Sequence, residues 1–149
     1  MRALVAIDGF DSGLHAAQQA RALLPSGTTL ILAAVVAPPI DPNEGAGGFA
    51  GPTITPQDAE RQHAGDVVAA DAALAEVARA LGPEPIEQRV VVGTPADALA
   101  ALAAEQQIDL LVVGAHGHGI VSRALHVATD DSILRASPVS VMLVPPPHA

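Results

Sequence analysis

Residues 109–119 read DLLVVGAHGHG, an apolar run that passes directly into a glycine-rich loop. A strand that ends in glycines and leads to a helix presents bare backbone N–H groups, which suit an anion such as phosphate. The pattern then breaks, because residues 127–131 read VATDD where a second run of small residues is expected. The stretch therefore predicts a phosphate-type site and leaves open whether a nucleotide still binds there.

The length and charge of the chain limit the possible partners. The 149 residues suffice for one self-contained core, so we expect a single domain over residues 1–149. The net charge of −9, with no basic run, argues against binding to nucleic acid or to an anionic membrane surface. The N-terminal apolar run is too short for a signal peptide, and no segment approaches the roughly 18 apolar residues of a membrane span. A cytoplasmic protein is expected.

The residue types that the chain lacks exclude several kinds of chemistry. It has no cysteine, which rules out disulfides, thiolate metal sites and cysteine nucleophiles. All seven basic residues are arginines, so no lysine is present for a P-loop, a Schiff base or a two-component receiver. Tryptophan and tyrosine are absent as well, and a bound base would therefore rest on aliphatic and backbone surfaces.

Five aliphatic runs predict strands. These runs are mostly continuous rather than alternating, which is typical of a parallel sheet covered on both faces. The predicted strands are Ala3–Ile7, Thr29–Val36, Ile86–Val92, Leu110–Val113 and Val139–Val144.

Helices are predicted between the strands. His15–Leu24 and Gln57–Leu81 form the first two, Thr94 and Pro95 begin the third, and Asp130 falls in the first turn of the fourth. The alternation of strand and helix predicts a doubly wound α/β fold with its crevice at the carboxyl ends of the strands. The Pro/Gly-rich connection over residues 38–55 is predicted to be a flexible loop, with a lid over the crevice as the alternative.

The segment from Asp109 to Val144 resembles the universal stress protein family, whose nucleotide motif is Gly-x-x-Gly, nine residues, then Gly and Ser or Thr. Gly114 and Gly117 match its first half, and His116 fits the family's Gly-x-His-Gly pattern. Residues 4–9, 32–36 and 93–96 resemble further parts of the family's sequence. The resemblance implies a five-stranded parallel sheet in the order 3-2-1-4-5, with helices on both faces. It also implies a homodimer paired through the last strand, Val139–Val144.

In nucleotide-binding members of this family, an aspartate of strand one and a valine of strand two contact the adenosine of ATP, and glycines hold the phosphates. Val127 stands where the motif has its last glycine, and Ala128 stands where it has a hydroxyl; Thr129, one residue late, is the candidate substitute. Phe10 departs from the family's small hydroxyl residue at that position. The candidate nucleotide-binding residues that the resemblance implies are Asp8, Val35, Gly114, His116, Gly117 and Thr129.

Two functional classes stay open. One is a stress-response or regulatory module that acts as a homodimer with an unidentified protein partner and binds ATP weakly or not at all. The other is a sensor that binds ATP or a related adenine nucleotide in the crevice between strands one and four.

Enzymatic activity ranks behind both classes. Slow ATP hydrolysis has no visible positioned base, since Asp8 is more often a hydrogen-bond acceptor than a general base in such a position. No metal site is expected either, because His116, His118 and His126 have no carboxylate or cysteine at ligand spacing.

Overall fold

The computed structural model describes residues 1–41, 54–115 and 128–147. Within these residues, strands and helices alternate along the chain. The strands are β1 (Arg2–Ala6), β2 (Thr29–Val36), β3 (Glu87–Val92), β4 (Leu110–Gly114) and β5 (Ser140–Val144). The helices are α1 (Phe10–Leu23), α2 (Pro56–Leu81), α3 (Pro95–Glu105) and α4 (Ala128–Ala136).

The five strands form one parallel sheet in the order β3-β2-β1-β4-β5. This confirms the predicted fold class and strand order. Strand β1 lies at the centre, where Ala6 pairs with Ala33 of β2 on one side and with Val113 of β4 on the other. The carboxyl ends of β1, β2 and β4 therefore meet at one edge of the sheet.

Two apolar layers cover the sheet. Val5 and Leu32 pack with α1 and α2 on one face, where Leu74 of α2 is fully buried. Leu4 and Leu111 pack on the other face with α3 and α4. Neighbouring residues of a strand point to opposite faces, so a strand that is buried on both must be aliphatic throughout. This is why the continuous aliphatic runs located the strands correctly.

The prediction for the first helix was wrong at its start. Helix α1 begins at Phe10, five residues before the predicted His15. Its N-cap is Gly9, which has no side chain to accept a cap hydrogen bond, and Gly13 lies within the first turns. Gly13 lowers the helix propensity of this stretch, and packing against the sheet compensates for it.

Two threonines begin α2 and α3 as predicted. The Thr55 hydroxyl accepts a hydrogen bond from the Asp58 N–H (3.2 Å) and donates one to Asp58 Oδ2 (2.7 Å). Thr94 is the N-cap residue of α3, but its hydroxyl donates to Asp97 Oδ2 (2.8 Å) and accepts no hydrogen bond from a backbone N–H. In both helices an aspartate of the first turn faces the N-cap hydroxyl.

The connection between β2 and α2 was predicted over residues 38–55. Residues 42–53 of it lie outside the described residues, so neither the flexible loop nor the lid can be compared with the structure. The described residues resume at Ile54, and Thr55 is the N-cap residue of α2. On the α2 side, His63 Nδ1 lies 3.1 Å from the Ala37 carbonyl oxygen, just beyond the end of β2.

Gly13 sits where α1 presses on the end of the central strand. A Cβ atom at this position would come within 2.8 Å of Ile7 Cγ2, and Ile7 is itself buried. We expect Gly13→Ala to lower the free energy of unfolding by about 1–3 kcal/mol, because overpacking outweighs the better helix propensity of alanine. Urea denaturation measures the change.

Gly65 provides the matched control in α2. Outside the neighbouring backbone of α2, no atom of the described residues lies within 4 Å of a Cβ built there, so Gly65→Ala should raise the free energy of unfolding by about 0.5–1 kcal/mol. A similar gain at both glycines would show that Ile7 yields without cost, contrary to this account of the packing.

Candidate functional site

The candidate site lies where the strand order changes direction. From β1 the chain proceeds through α1 to β2 on one side, and β4 joins β1 on the other side. In doubly wound sheets, ligands bind outside the carboxyl ends of the strands at this switch point. Asp8 follows β1, and Gly114 is the last residue of β4. The structure therefore brings these two predicted residues to adjacent strand ends.

Asp8 is held at its backbone and at its side chain. The N–H of the preceding residue, Ile7, donates to the Ala33 carbonyl oxygen (2.7 Å) and continues the sheet one residue beyond β1. The Ser12 hydroxyl donates to Asp8 Oδ1 at 2.8 Å, and both side chains are half-buried. Asp8 Oδ2 has no hydrogen-bond partner among the described residues. One carboxylate oxygen is thus fixed, and the other is available as an acceptor.

Sequence reasoning missed Ser12. The signal that could have identified it is the spacing of four residues between Asp8 and Ser12, which brings a short hydroxyl side chain near a carboxylate once the helix includes residue 12. The predicted helix began three residues after Ser12 and placed this serine in a loop.

Gly114 lies against the first turns of α1. A Cβ atom at this position would stand 3.5 Å from the Ser12 carbonyl oxygen and 3.7 Å from Ala16 Cβ, which is ordinary van der Waals contact. The next residue, Ala115, donates its N–H to the Val144 carbonyl oxygen (2.7 Å), so the chain is still paired with β5 as it leaves β4. The end of β4 and the start of α1 therefore form one packed unit.

The other predicted site residues are distributed as follows. Val35 is only 8% exposed and packs in the core layer of α3 and α4, one residue before the end of β2. Thr129 is the second residue of α4. His116 and Gly117 lie outside the described residues. The roles that the resemblance implies for all six residues stay predictions.

Acidic residues occur near the start of several helices. Asp11 and Asp97 occupy the first turns of α1 and α3, and Asp130 and Asp131 are the third and fourth residues of α4. A carboxylate near a helix N-terminus is stabilised by the partial positive charge of that terminus. The same partial charge is then less available to a phosphate.

At the amino ends of the strands, a groove of about 670 Å³ lies between the loops that lead into β2 and β3. Arg21 crosses it and donates to the Leu81 carbonyl oxygen (2.5 Å), and it forms an ion pair with Glu84 (3.3 Å). At the amino end of β1, Arg2 Nε donates to the Gln106 carbonyl oxygen (3.0 Å). These cations are engaged at the amino ends of the strands, away from Asp8 and Gly114.

The described residues offer few further clues to chemistry. Within residues 1–41, 54–115 and 128–147, no three metal-ligating side chains are grouped to hold an ion. The three histidines considered as metal ligands fall between residues 115 and 128, outside the described part. No helix in the described part of the chain combines the length and the apolar character needed to cross a membrane.

Comparison with solved structures finds the same fold. A universal stress protein in complex with cAMP is 32% identical to this chain, with 99% of this chain and 98% of that chain covered and a TM-score of 0.60. A universal stress protein family member from Arabidopsis thaliana with AMP bound is 16% identical and covers 99% of this chain and 92% of its own, with a TM-score of 0.64. At that identity the second likeness shows the fold alone.

Sequence comparison points the same way. Universal stress proteins from two strains of Mycobacterium tuberculosis are 38% identical over 69 residues. That match covers 46% of this chain and 47% of those relatives, so the chain matches about half of their length. The sequence model of the universal stress protein family matches residues 1–145. The chain therefore belongs to the universal stress protein family.

Proposed function

We propose that this chain is a regulatory module that binds an adenine nucleotide with a single phosphate, cyclic AMP or AMP, and binds ATP weakly. The nucleoside lies at the carboxyl ends of β1 and β4. The observation that carries the proposal is the half-buried Asp8 carboxylate, with Oδ1 fixed by Ser12 and Oδ2 unpartnered among the described residues. A carboxylate placed in this way accepts a hydrogen bond from a hydroxyl or amino group, and a nucleoside supplies both.

The solved relative with bound cAMP supports this ligand class. Its 32% identity extends over 99% of this chain, well beyond a shared fold. The family pattern also matches this chain at the adenosine end of the site, in Asp8 and Val35, and departs from it at the phosphate end, in Val127 and Ala128. A ligand that depends on the adenosine contacts and has few phosphates fits this combination.

The charges at the site favour a ligand with little negative charge. Asp8 follows β1, Asp11 lies in the first turn of α1 and Asp130 is the third residue of α4, and the proposal places the phosphates near these helix starts. Coulomb repulsion grows with the charge of the ligand, and cyclic AMP carries about one negative charge whereas ATP carries about four. The repulsion is therefore several times larger for ATP, and the missing glycine and hydroxyl contacts add to the loss.

We expect the affinity to fall in the order cyclic AMP, AMP, ATP, with ATP at least about tenfold weaker than cyclic AMP. Titration calorimetry measures the three constants, since the chain has no tryptophan or tyrosine for intrinsic fluorescence. Low-micromolar binding of ATP, or its retention through purification, would contradict the ranking. Failure of all three nucleotides to bind would leave the nucleotide-free regulatory module as the better description.

Two aspartate variants separate the hydrogen bond of Asp8 to the nucleoside from the repulsion between Asp130 and the phosphates. Asp8→Ala should weaken cyclic AMP binding by about ten- to a hundredfold, because a hydrogen bond to a charged group is lost. Asp130→Ala should strengthen ATP binding severalfold and cyclic AMP binding much less, with the difference shrinking at high salt. Asp71→Ala, on the exposed face of α2, makes the same change in net charge and serves as the control. Equal effects of Asp71→Ala and Asp130→Ala would mean that only the net charge matters.

The proposal includes a homodimer paired through β5, since the two edges of the sheet differ in chemistry. On β3, the Glu87–Arg89 ion pair places charge on the edge strand, which discourages further pairing. Strand β5, Ser140–Val144, has no charged residue, and Leu143 is 41% exposed. An uncharged, aliphatic edge strand favours pairing with a second copy.

The outward-facing groups of β5 follow from its register. The Val144 carbonyl oxygen accepts from Ala115, so the backbone of Val144 faces β4. Backbone polar groups alternate along a strand, and those of Val141 and Leu143 therefore face outward. Val141→Pro removes an outward N–H without removing a hydrogen bond to β4.

We expect Val141→Pro to convert the dimer to a monomer in sedimentation velocity runs at tens of micromolar protein. Val92→Pro is the control at the other edge, where the Gly93 N–H donates to Val36 and the Val92 N–H faces outward. The control should stay dimeric. A monomeric parent protein, or a dimer that survives Val141→Pro and is lost in Val92→Pro, would rule out pairing through β5.

A further inference from the structure

We propose that Ser12 is the positioning residue of the nucleotide site. Its hydroxyl fixes the Asp8 carboxylate in the orientation that leaves Oδ2 open to the nucleoside. This inference rests on the proposed function for the identity of the ligand. The arrangement of Ser12 and Asp8 is a property of the nucleotide-free chain, so it can be tested separately.

The contact itself is specific. Ser12 Oγ lies 2.8 Å from Asp8 Oδ1, and both residues are half-buried. A hydroxyl has a single proton to donate, so this bond engages one carboxylate oxygen and leaves the other free. An aspartate without such a contact samples several rotamers, and a ligand would have to select one of them at a cost in affinity.

The Asp8–Ser12 pair differs from the caps of the other helices. In α2 and α3 the hydroxyl belongs to the residue before the helix and the aspartate to the first turn, at Thr55–Asp58 and Thr94–Asp97. In α1 the order is reversed: the carboxylate precedes the helix, next to the end of β1, and the hydroxyl lies in the first turn. The reversal moves the carboxylate out of the helix and to the edge of the sheet where the crevice lies.

Packing holds Ser12 in place from two sides. Gly13, the next residue, meets Ile7 so closely that a methyl group would not fit, and its N–H donates to the Gly9 carbonyl oxygen (3.0 Å). On the other side, the Ser12 carbonyl oxygen lies 3.5 Å from where a Cβ atom on Gly114, the last residue of β4, would stand. The backbone around Ser12 is therefore packed closely against the ends of β1 and β4, and a residue that orients another side chain needs such a rigid position.

The test compares Ser12→Ala and Ser12→Thr with the parent protein, and Ser26→Ala, in the exposed loop after α1, is the control. The first readout is the Asp8 side-chain rotamer in nucleotide-free protein, taken from NMR couplings to the carboxyl carbon. The second is the calorimetric affinity for cyclic AMP. Thermal unfolding verifies that each variant is folded.

We expect one Asp8 rotamer in the parent, in Ser12→Thr and in Ser26→Ala, and averaging in Ser12→Ala. The affinity for cyclic AMP should fall by about three- to tenfold in Ser12→Ala and be retained in Ser12→Thr. In an Asp8→Ala background, Ser12→Ala should have no further effect, because the serine acts through the aspartate. If Ser12→Ala does not fold, the pair Ser12→Thr and Ser12→Val makes the same comparison with a β-branched side chain in both.

A single, unchanged Asp8 rotamer in Ser12→Ala would overturn the inference. An equal loss of affinity with and without Asp8 would overturn it as well, because the serine would then act directly. If the parent binds no adenine nucleotide, the proposed function fails, and the rotamer comparison still decides whether Ser12 positions Asp8.

Discussion

The structure depends on the pairing of β1 with β2 and β4 at once. Leu4 and Val5 of this strand are fully buried on opposite faces, so the two core layers are both built on it. Parallel pairing on each side also fixes where the chain leaves the sheet, because Ala6 is level with Ala33 and Val113. A crevice at the carboxyl ends of β1 and β4 is a consequence of this arrangement.

The sheet could be predicted because strands that are buried on both faces have continuous aliphatic sequences. A central strand that helices cover on both sides is largely apolar, and the apolar stretches located all five strands to within one residue at each end. The first helix could not be predicted in the same way. Gly13 is a poor helix former within the first turns of α1, and only its close approach to Ile7 explains why glycine occurs there. That contact joins two elements and has no signature in either.

The same limit applied to the candidate site. Asp8 could be identified because residues 4–9 resemble the family's first strand and its terminal aspartate, which is a local feature of the sequence. Ser12 could not, because its relation to Asp8 exists only if α1 begins at Phe10. The predicted helix start was five residues too late and left Ser12 in a loop. The hydrogen bond between Ser12 and Asp8 could therefore not be predicted. An error in the boundary of one helix thus concealed a candidate site residue, although the fold itself was predicted correctly.

Under the proposed function, the acidic residues at the helix N-termini affect both the stability of the helices and the preference for a ligand. Asp97 receives a hydrogen bond from the N-cap residue Thr94, and Asp11 complements the N-terminus of α1; both favour the helices they begin. A helix N-terminus can stabilise a carboxylate of its own or the phosphate of a ligand, and a chain with a net charge of −9 has many of the former. Each carboxylate placed there lowers the affinity for a polyphosphate, because like charges repel. Under the proposed function, the affinity then comes from the nucleoside, and the fixed orientation of Asp8 at the end of β1 contributes most to it.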